Sequence, residues 1–174
     1  VRLARPQDLP AIWALVQRTI SHMLSIGNPQ WGEDYPTYQH FVQDIQAGEL
    51  YVVAGPAGEI WGAAAITQTD EPEYAQLTWS RPSPAVALHR VAVDPQVQRQ
   101  GVASALFAQA HAVAEAKGCA SLRIDTYTLN HRMQSLIAKQ GFHHVGDIQY
   151  PNRPLPTLCY EKVLSFSPSL GNTT

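Results

Sequence analysis

The sequence predicts an α/β domain built on a central mixed sheet of six or seven strands, with helices on both faces. Three observations carry this. The run 86–127 reads strand, helix, strand, and two strands of one sheet joined by a helix imply a parallel, right-handed crossover. Residues 50–54 and 60–67 are apolar runs separated by Gly55-Pro56-Ala57-Gly58, the turn chemistry of an antiparallel hairpin, so the sheet is mixed. The chain has 174 residues, 45% hydrophobic and 15% charged, which suffices for one sizeable core and leaves no room for a second catalytic domain.

In chain order, Leu9, Ile12, Trp13, Val16, Ile20, Met23 and Leu24 recur at helical spacing after Asp8. They predict an amphipathic helix with Asp8 as its N-cap, stopping near Gly27-Asn28-Pro29. Residues 30–36 form a loop carrying Trp31 and Tyr35, and 37–47 a short second helix ended by Gly48. After the hairpin comes a long connection, 68–84. Residues 86–93 are the next strand, and 101–117 a helix with Val102, Leu106, Ala110, Val113 and Ala114 on one stripe and Gly118 as its stop. Strands at 121–127, 142–148 and 158–164, with a helix at 130–140 closed by Gly141, complete the domain, 1–164. Residues 165–174 are Ser-, Gly- and Thr-rich and are expected to be a disordered tail.

Bulk properties exclude several functions. A net charge of −2 argues against nucleic acid as a partner. Cys119 and Cys159 form no CxxC pair and are expected to be reduced core thiols, while His111, His131 and His143-His144 have no acid or thiol at ligand spacing, so no metal is expected. No apolar run approaches the ~20 residues of a bilayer span or the form of a signal peptide, so the expectation is a cytoplasmic protein without a membrane partner. Ser104, Ser121 and Ser135 lack the GxSxG elbow of a serine hydrolase.

Between the strand ending at Val93 and the helix starting at Gly101 lies the tight loop Asp94-Pro95-Gln96-Val97-Gln98-Arg99-Gln100. Such a loop aims unpaired helix N-terminal amides outward, where they and the helix dipole favour a phosphate. Gly101 lets the backbone approach a diphosphate, Ala103 keeps the first turn open, and Arg99 adds a positive charge. Neither GxxxxGK[ST] nor GxGxxG is present, so this is not a nucleotide loop of either kind.

The wider pattern is more specific. Leu88-His89-Arg90-Val91-Ala92-Val93-Asp94-Pro95, then Gln98-x-x-Gly101-x-Ala103, then Asn130, Leu136 and Gly141-Phe142 resemble the GNAT superfamily of acyl-CoA-dependent N-acyltransferases. The likeness is firm over 86–149 and looser over 2–67. Gln30-Trp31, Tyr35-Pro36 and Asp125-Thr126 further resemble a bacterial branch. The resemblance implies two parallel strands, 86–93 and 121–127, splaying apart around acetyl-CoA. Main-chain groups of Val91, Ala92 and Val93 would pair with the pantetheine arm and acetyl carbonyl, the Val91 amide serving as oxyanion donor. Amides from Gln98, Arg99, Gln100, Gly101, Val102, Ala103 and Ser104 would hold the pyrophosphate. Asn130 has two readings, a contact to the pantetheine arm or a helix N-cap.

Acetyl transfer to a primary amine, by direct attack in a ternary complex, needs an uncharged amine and a stabilised oxyanion. Strand alternation would put Ala87, His89, Val91 and Val93 on one face, making His89 the candidate base, with packing inside the sheet as its structural alternative. Many members of the resembled family carry a glutamate where this chain has Ala87; some, such as the arylalkylamine branch, carry a histidine at the position of His89. The family's usual tyrosine acid is replaced by Ile137, and Tyr127 is the substitute candidate, with packing under the loop as its alternative. The acceptor is expected between the first two helices and the sheet, near Trp31 and Tyr35, with a core staple as the alternative reading of Trp31. A non-catalytic acyl-CoA-binding module and a transferase of longer acyl groups are the rival readings. The resemblance implies a monomer or homodimer.

Overall fold

A computed structural model describes residues 1–97 and 99–165. Gln98 and all of the expected tail beyond Ser165 lie outside the described residues. Eleven regular elements follow in chain order: β1 (Arg2–Leu3), α1 (Leu9–Ser25), α2 (Tyr38–Gln46), β2 (Leu50–Ala54), β3 (Ile60–Thr67), β4 (Val86–Val93), α3 (Val102–Ala116), β5 (Ser121–Tyr127), α4 (His131–Lys139), β6 (His143–Ile148) and β7 (Thr157–Val163). The strands form one seven-stranded sheet in the order β1-β2-β3-β4-β5-β7-β6. Only β4 and β5 pair in parallel, across the α3 crossover. The mixed α/β sheet expected from the sequence is therefore present.

The two-residue β1 has too little sequence to announce itself. It pairs with Tyr51 and Val52 of β2, held by Arg2, whose guanidinium meets the Asp8 carboxylate at 2.7 and 3.0 Å. Asp8 stands at the head of α1 as expected, yet its side chain does not cap that helix. It accepts instead from the Arg5 amide at 2.7 Å and closes the short turn Pro6–Asp8.

Helices cover both faces. On one, α3 lays Phe107, Ala110, Val113 and Ala114 against Val86, Leu88, Leu122 and Ile124. On the other, Ile12, Leu15, Val16 and Met23 of α1 and Phe41 of α2 pack on Leu50, Val52, Ala63, Ala65 and Ala92. Gly62 permits the close approach of α3, since a Cβ there would stand 2.5 Å from Val102 Cγ1. The connection 68–84 contains one short helical turn, Pro72–Gln76. It is pinned by the buried Glu161, which accepts from the Ser80 and Arg81 amides at 2.7 and 3.1 Å. Burial alone would push the Glu161 carboxyl up, but those amides outweigh it and hold it below the ordinary value. Arg123 adds a second anchor through Asp70 and through Trp79, whose ring centre is 4.3 Å from the guanidinium carbon.

The strict alternation expected along β4 is interrupted. Ala65 faces His89 and Ala63 faces Ala92, so the single residue Ala64 of β3 opposes two residues of β4, Arg90 and Val91. This is a β-bulge, and Arg90 takes its left-handed position with φ 52°. The inserted residue reverses the phase of the strand. His89 therefore shares a face with Ala92 and the α1/α2 core, whereas Val93, opposite Gly62, turns toward α3. An arginine in this conformation is strained. It is held there by Asp44 of α2, paired at 2.7 and 2.6 Å, and by the Tyr35 hydroxyl at 3.1 Å.

Candidate active site

The pairing of β4 with β5 stops at Leu88 and Ile124. Residues His89–Val93 and Asp125–Tyr127 run on without each other, and the wedge between them opens into two cavities. The first, of about 380 Å³, runs beside the α3 N-terminus and is lined by Val91, Val93, Arg99, Gly101, Val102, Ala103, Ser104 and Asn130, with Met23 and Met133. The second, of about 420 Å³, lies on the α1/α2 side among Trp31, Tyr35, Glu71, His89, Asp125, Tyr127 and Tyr150. Met23, Val91, Asn130 and Met133 line both, so the two spaces meet at the splay.

The backbone at the first cavity suits an extended ligand carrying phosphate. Arg99 and Gly101 both adopt left-handed conformations, φ 67° and 73°, which curl the loop into the start of α3. A Cβ on Gly101 would meet nothing within 4 Å, so the glycine is required there by its conformation rather than by space. The free amides of the first turn of a fifteen-residue helix face this region. Ala92, by contrast, buries its methyl in the α1/α2 core, and Gln100 does not line the cavity.

In the second cavity His89 is almost fully enclosed, its side chain 7% exposed, and its Nε2 has no hydrogen-bond partner. Its Nδ1 lies 3.7 Å from Glu71. Burial lowers the imidazole pKa, partly opposed by Asp125. The half-buried Asp125 accepts from the Tyr74 hydroxyl at 2.8 Å; burial pushes its carboxyl up, with His89 and Tyr74 pulling the other way. Glu71 is likewise raised by burial, eased by Arg90. An imidazole whose Nε2 is unpaired and whose charged form burial disfavours can accept a proton.

The model of the acetyltransferase (GNAT) family matches residues 20–142. The chain belongs to this family. A GNAT-family acetyltransferase from Streptococcus agalactiae 2603 is 25% identical, with a TM-score of 0.80 over 95% of each chain. A GNAT-family acetyltransferase from Listeria monocytogenes 4b F2365 shares the fold at 22% identity and TM-score 0.74, over 94% of this chain and 93% of that one. So does Naa20 of Chaetomium thermophilum, solved with a bisubstrate analogue, at 17% identity and TM-score 0.71, over 94% of this chain and 85% of that one. Among curated proteins no sequence matches this chain.

In this GNAT acetyltransferase the residues singled out by sequence divide between the cavities. Asn130 is the N-cap of α4, accepting from the Met133 amide at 3.2 Å, while its Nδ2 donates to Gln30 at 2.8 Å. Trp31 is 5% exposed and belongs to the α1/α2 core, with an edge on the cavity. Tyr35 lines the cavity through its ring, and its hydroxyl accepts from Arg90. Tyr127 is buried, and its hydroxyl accepts from the Leu155 amide at 3.1 Å. Ile137, at the position of the family's usual tyrosine, is fully buried in the α3-side core. No cluster of metal ligands occurs among the described residues.

Sequence reasoning missed Glu71, Tyr74, Arg90, Asp44 and Arg153. Glu71 and Tyr74 sit in the long connection, whose path has no periodicity to read. Arg153 reaches back across the cavity mouth to Asp34 at 2.8 Å and to the Gln30 carbonyl at 2.9 Å. Asp125 carried a signal through its place in Asp125-Thr126 but no assigned role.

Proposed function

We propose that the protein is an N-acetyltransferase that moves an acetyl group from acetyl-CoA to a primary amine by direct attack in a ternary complex. The observation that carries this reading is the meeting of the two cavities at Val91 and Asn130, one bordered by helix amides and the other by an imidazole with an unpaired Nε2. Acetyl-CoA supplies the activated acyl thioester. The α3 amides and Arg99 bind the pyrophosphate, and the N–H of Val91, on the β4 edge left free of β5, donates to the acyl oxygen. His89 takes a proton from the acceptor ammonium on Nε2, freeing the nitrogen lone pair. The C–N bond forms as the C–S bond breaks, coenzyme A departs as a thiolate, and the second proton of the attacking nitrogen passes to that thiolate to leave the neutral amide. With a thiol pKa of about 8.5, that departure needs no dedicated acid. We assign Tyr127 a positioning part, since its hydroxyl fixes the 150–156 segment through Leu155.

The test is to incubate the protein with acetyl-CoA and a panel of primary amines and to follow thiol release. Wild type is expected to release coenzyme A in an amine-dependent way, and His89→Ala to lose at least ~100-fold in kcat/KM. An unchanged rate in the variant would remove His89 from the mechanism. Binding of acetyl-CoA without turnover on any amine, peptide or protein would point instead to a non-catalytic acyl-CoA-binding module.

A further inference from the structure

The charges around the acceptor cavity do not balance. Its lining includes the carboxylates Asp34, Glu71 and Asp125 and the arginines Arg90 and Arg153. Both arginines are already committed. Arg90 is paired bidentately with Asp44, which lies outside the lining, and gives a further N–H to Tyr35. Arg153 is paired with Asp34 through both terminal nitrogens, and its remaining contacts go to the carbonyls of Gln30 and Asn152. Glu71 and Asp125 are left with no arginine or lysine partner among the described residues. His89 Nδ1 stands 3.7 Å from Glu71 and the Tyr74 hydroxyl donates to Asp125, while Arg90 reaches Glu71 only as a longer-range charge.

A second, independent feature points to a ligand here. His89 is more than nine-tenths buried, lines the cavity, and has an Nε2 with no hydrogen-bond partner. A buried polar atom left unpaired is costly unless something arrives to pair it. Around it, Trp31, Tyr35, Tyr127 and Tyr150 offer an apolar wall for a small organic body, and about 420 Å³ is the size of a small-molecule site.

Resting on the function proposed above, we infer that the acceptor is a small cationic amine bearing no carboxylate, its ammonium received by Glu71 and Asp125 and deprotonated at His89 Nε2. Two carboxylates without an arginine or lysine ion pair attract a cation and raise the local concentration of an ammonium. The same two groups repel an acceptor that brings a carboxylate of its own, and no uncommitted arginine is available to receive it. A free α-amino acid would bury an unpaired anion against two like charges.

The experiment compares amines that differ only by that carboxylate, phenethylamine with phenylalanine and cadaverine with lysine, by rates of coenzyme A release at fixed acetyl-CoA. The decarboxylated member of each pair is expected to have at least ~10-fold higher kcat/KM. Glu71→Gln is expected to raise KM for the decarboxylated amine and to narrow the gap within each pair. Equal or greater activity on phenylalanine and lysine would overturn the inference, as would an unchanged gap in Glu71→Gln or no turnover of any of the four. Thermal stabilisation by acetyl-CoA, measured in parallel, reports on the underlying reading. Stabilisation with the wrong preference sinks only the substrate class, whereas no stabilisation sinks both.

Discussion

His89 is the proposed base because burial disfavours its charged form and one ring nitrogen is unpaired. Burial disfavours the imidazolium, so the ring stays a proton acceptor at pH values below its ordinary pKa of about 6.5. The sign for stability follows. As pH falls below about 6.5 the unfolded chain takes up a proton that the folded chain resists, so His89 costs stability on the acid side. Titration of the His89 ring by NMR is expected to give a midpoint below 6.5; a midpoint above it would contradict this environment. Asp8 behaves oppositely. Its hydrogen bonds to Arg2 draw the carboxyl down to about 2, against the opposing effect of burial. The stability it adds is complete above its unfolded value near 3.8 and is lost as pH falls toward 2. Arg2→Ala is expected to lower stability by about 1 kcal/mol at neutral pH, a partly exposed pair being screened, and to have no effect near pH 2. Urea melts at the two pH values check both statements.

Among the elements, β4 departs most from its sequence pattern. Its apolar run reads as a regular strand, but the bulge at Arg90 and Val91 turns the strand over, so that His89 faces the acceptor cavity and Val91 borders both cavities. Nothing local in His89-Arg90-Val91 signals the insertion. Its cause is tertiary, the pairing of Arg90 with Asp44 forty-six residues away. Arg90→Ala leaves Asp44 buried and unpaired, and is expected to cost about 3 kcal/mol and to reduce kcat as the Val91 amide loses its alignment. Asp44→Ala should match it, and the double variant should cost less than the sum. Calorimetric melts of the three proteins test the coupling. The strand–helix–strand crossover, the hairpin and the helix ends at Gly48, Gly118 and Gly141 were legible because periodicity and turn chemistry are local. The loop before α3 was legible for the same reason. What could not be read was whatever depends on distant partners: β1, the bulge, Asp8's diverted side chain, and the path that brings Glu71 and Tyr74 over the sheet.

At the scale of the whole molecule, one sheet divides two chemistries. In the proposed reaction the α3 side, with its amides and Arg99, takes the phosphate-bearing donor, and the α1/α2 side, with carboxylates, aromatic rings and an imidazole, takes the amine. At the splay of β4 from β5, Val91 and Asn130 border both cavities. The loop before α3 carries a motif and a spacing in the sequence, whereas the second cavity draws its lining from separated stretches between Met23 and Thr157 and has no motif. The central claim, that the wedge binds acetyl-CoA, is tested most directly by differential scanning calorimetry with and without the ligand. At a hundredfold excess over Kd, acetyl-CoA is expected to stabilise the protein by about 2.7 kcal/mol, raising Tm by roughly 5–10 °C for a chain of this size. An unchanged Tm at millimolar acetyl-CoA would contradict the account.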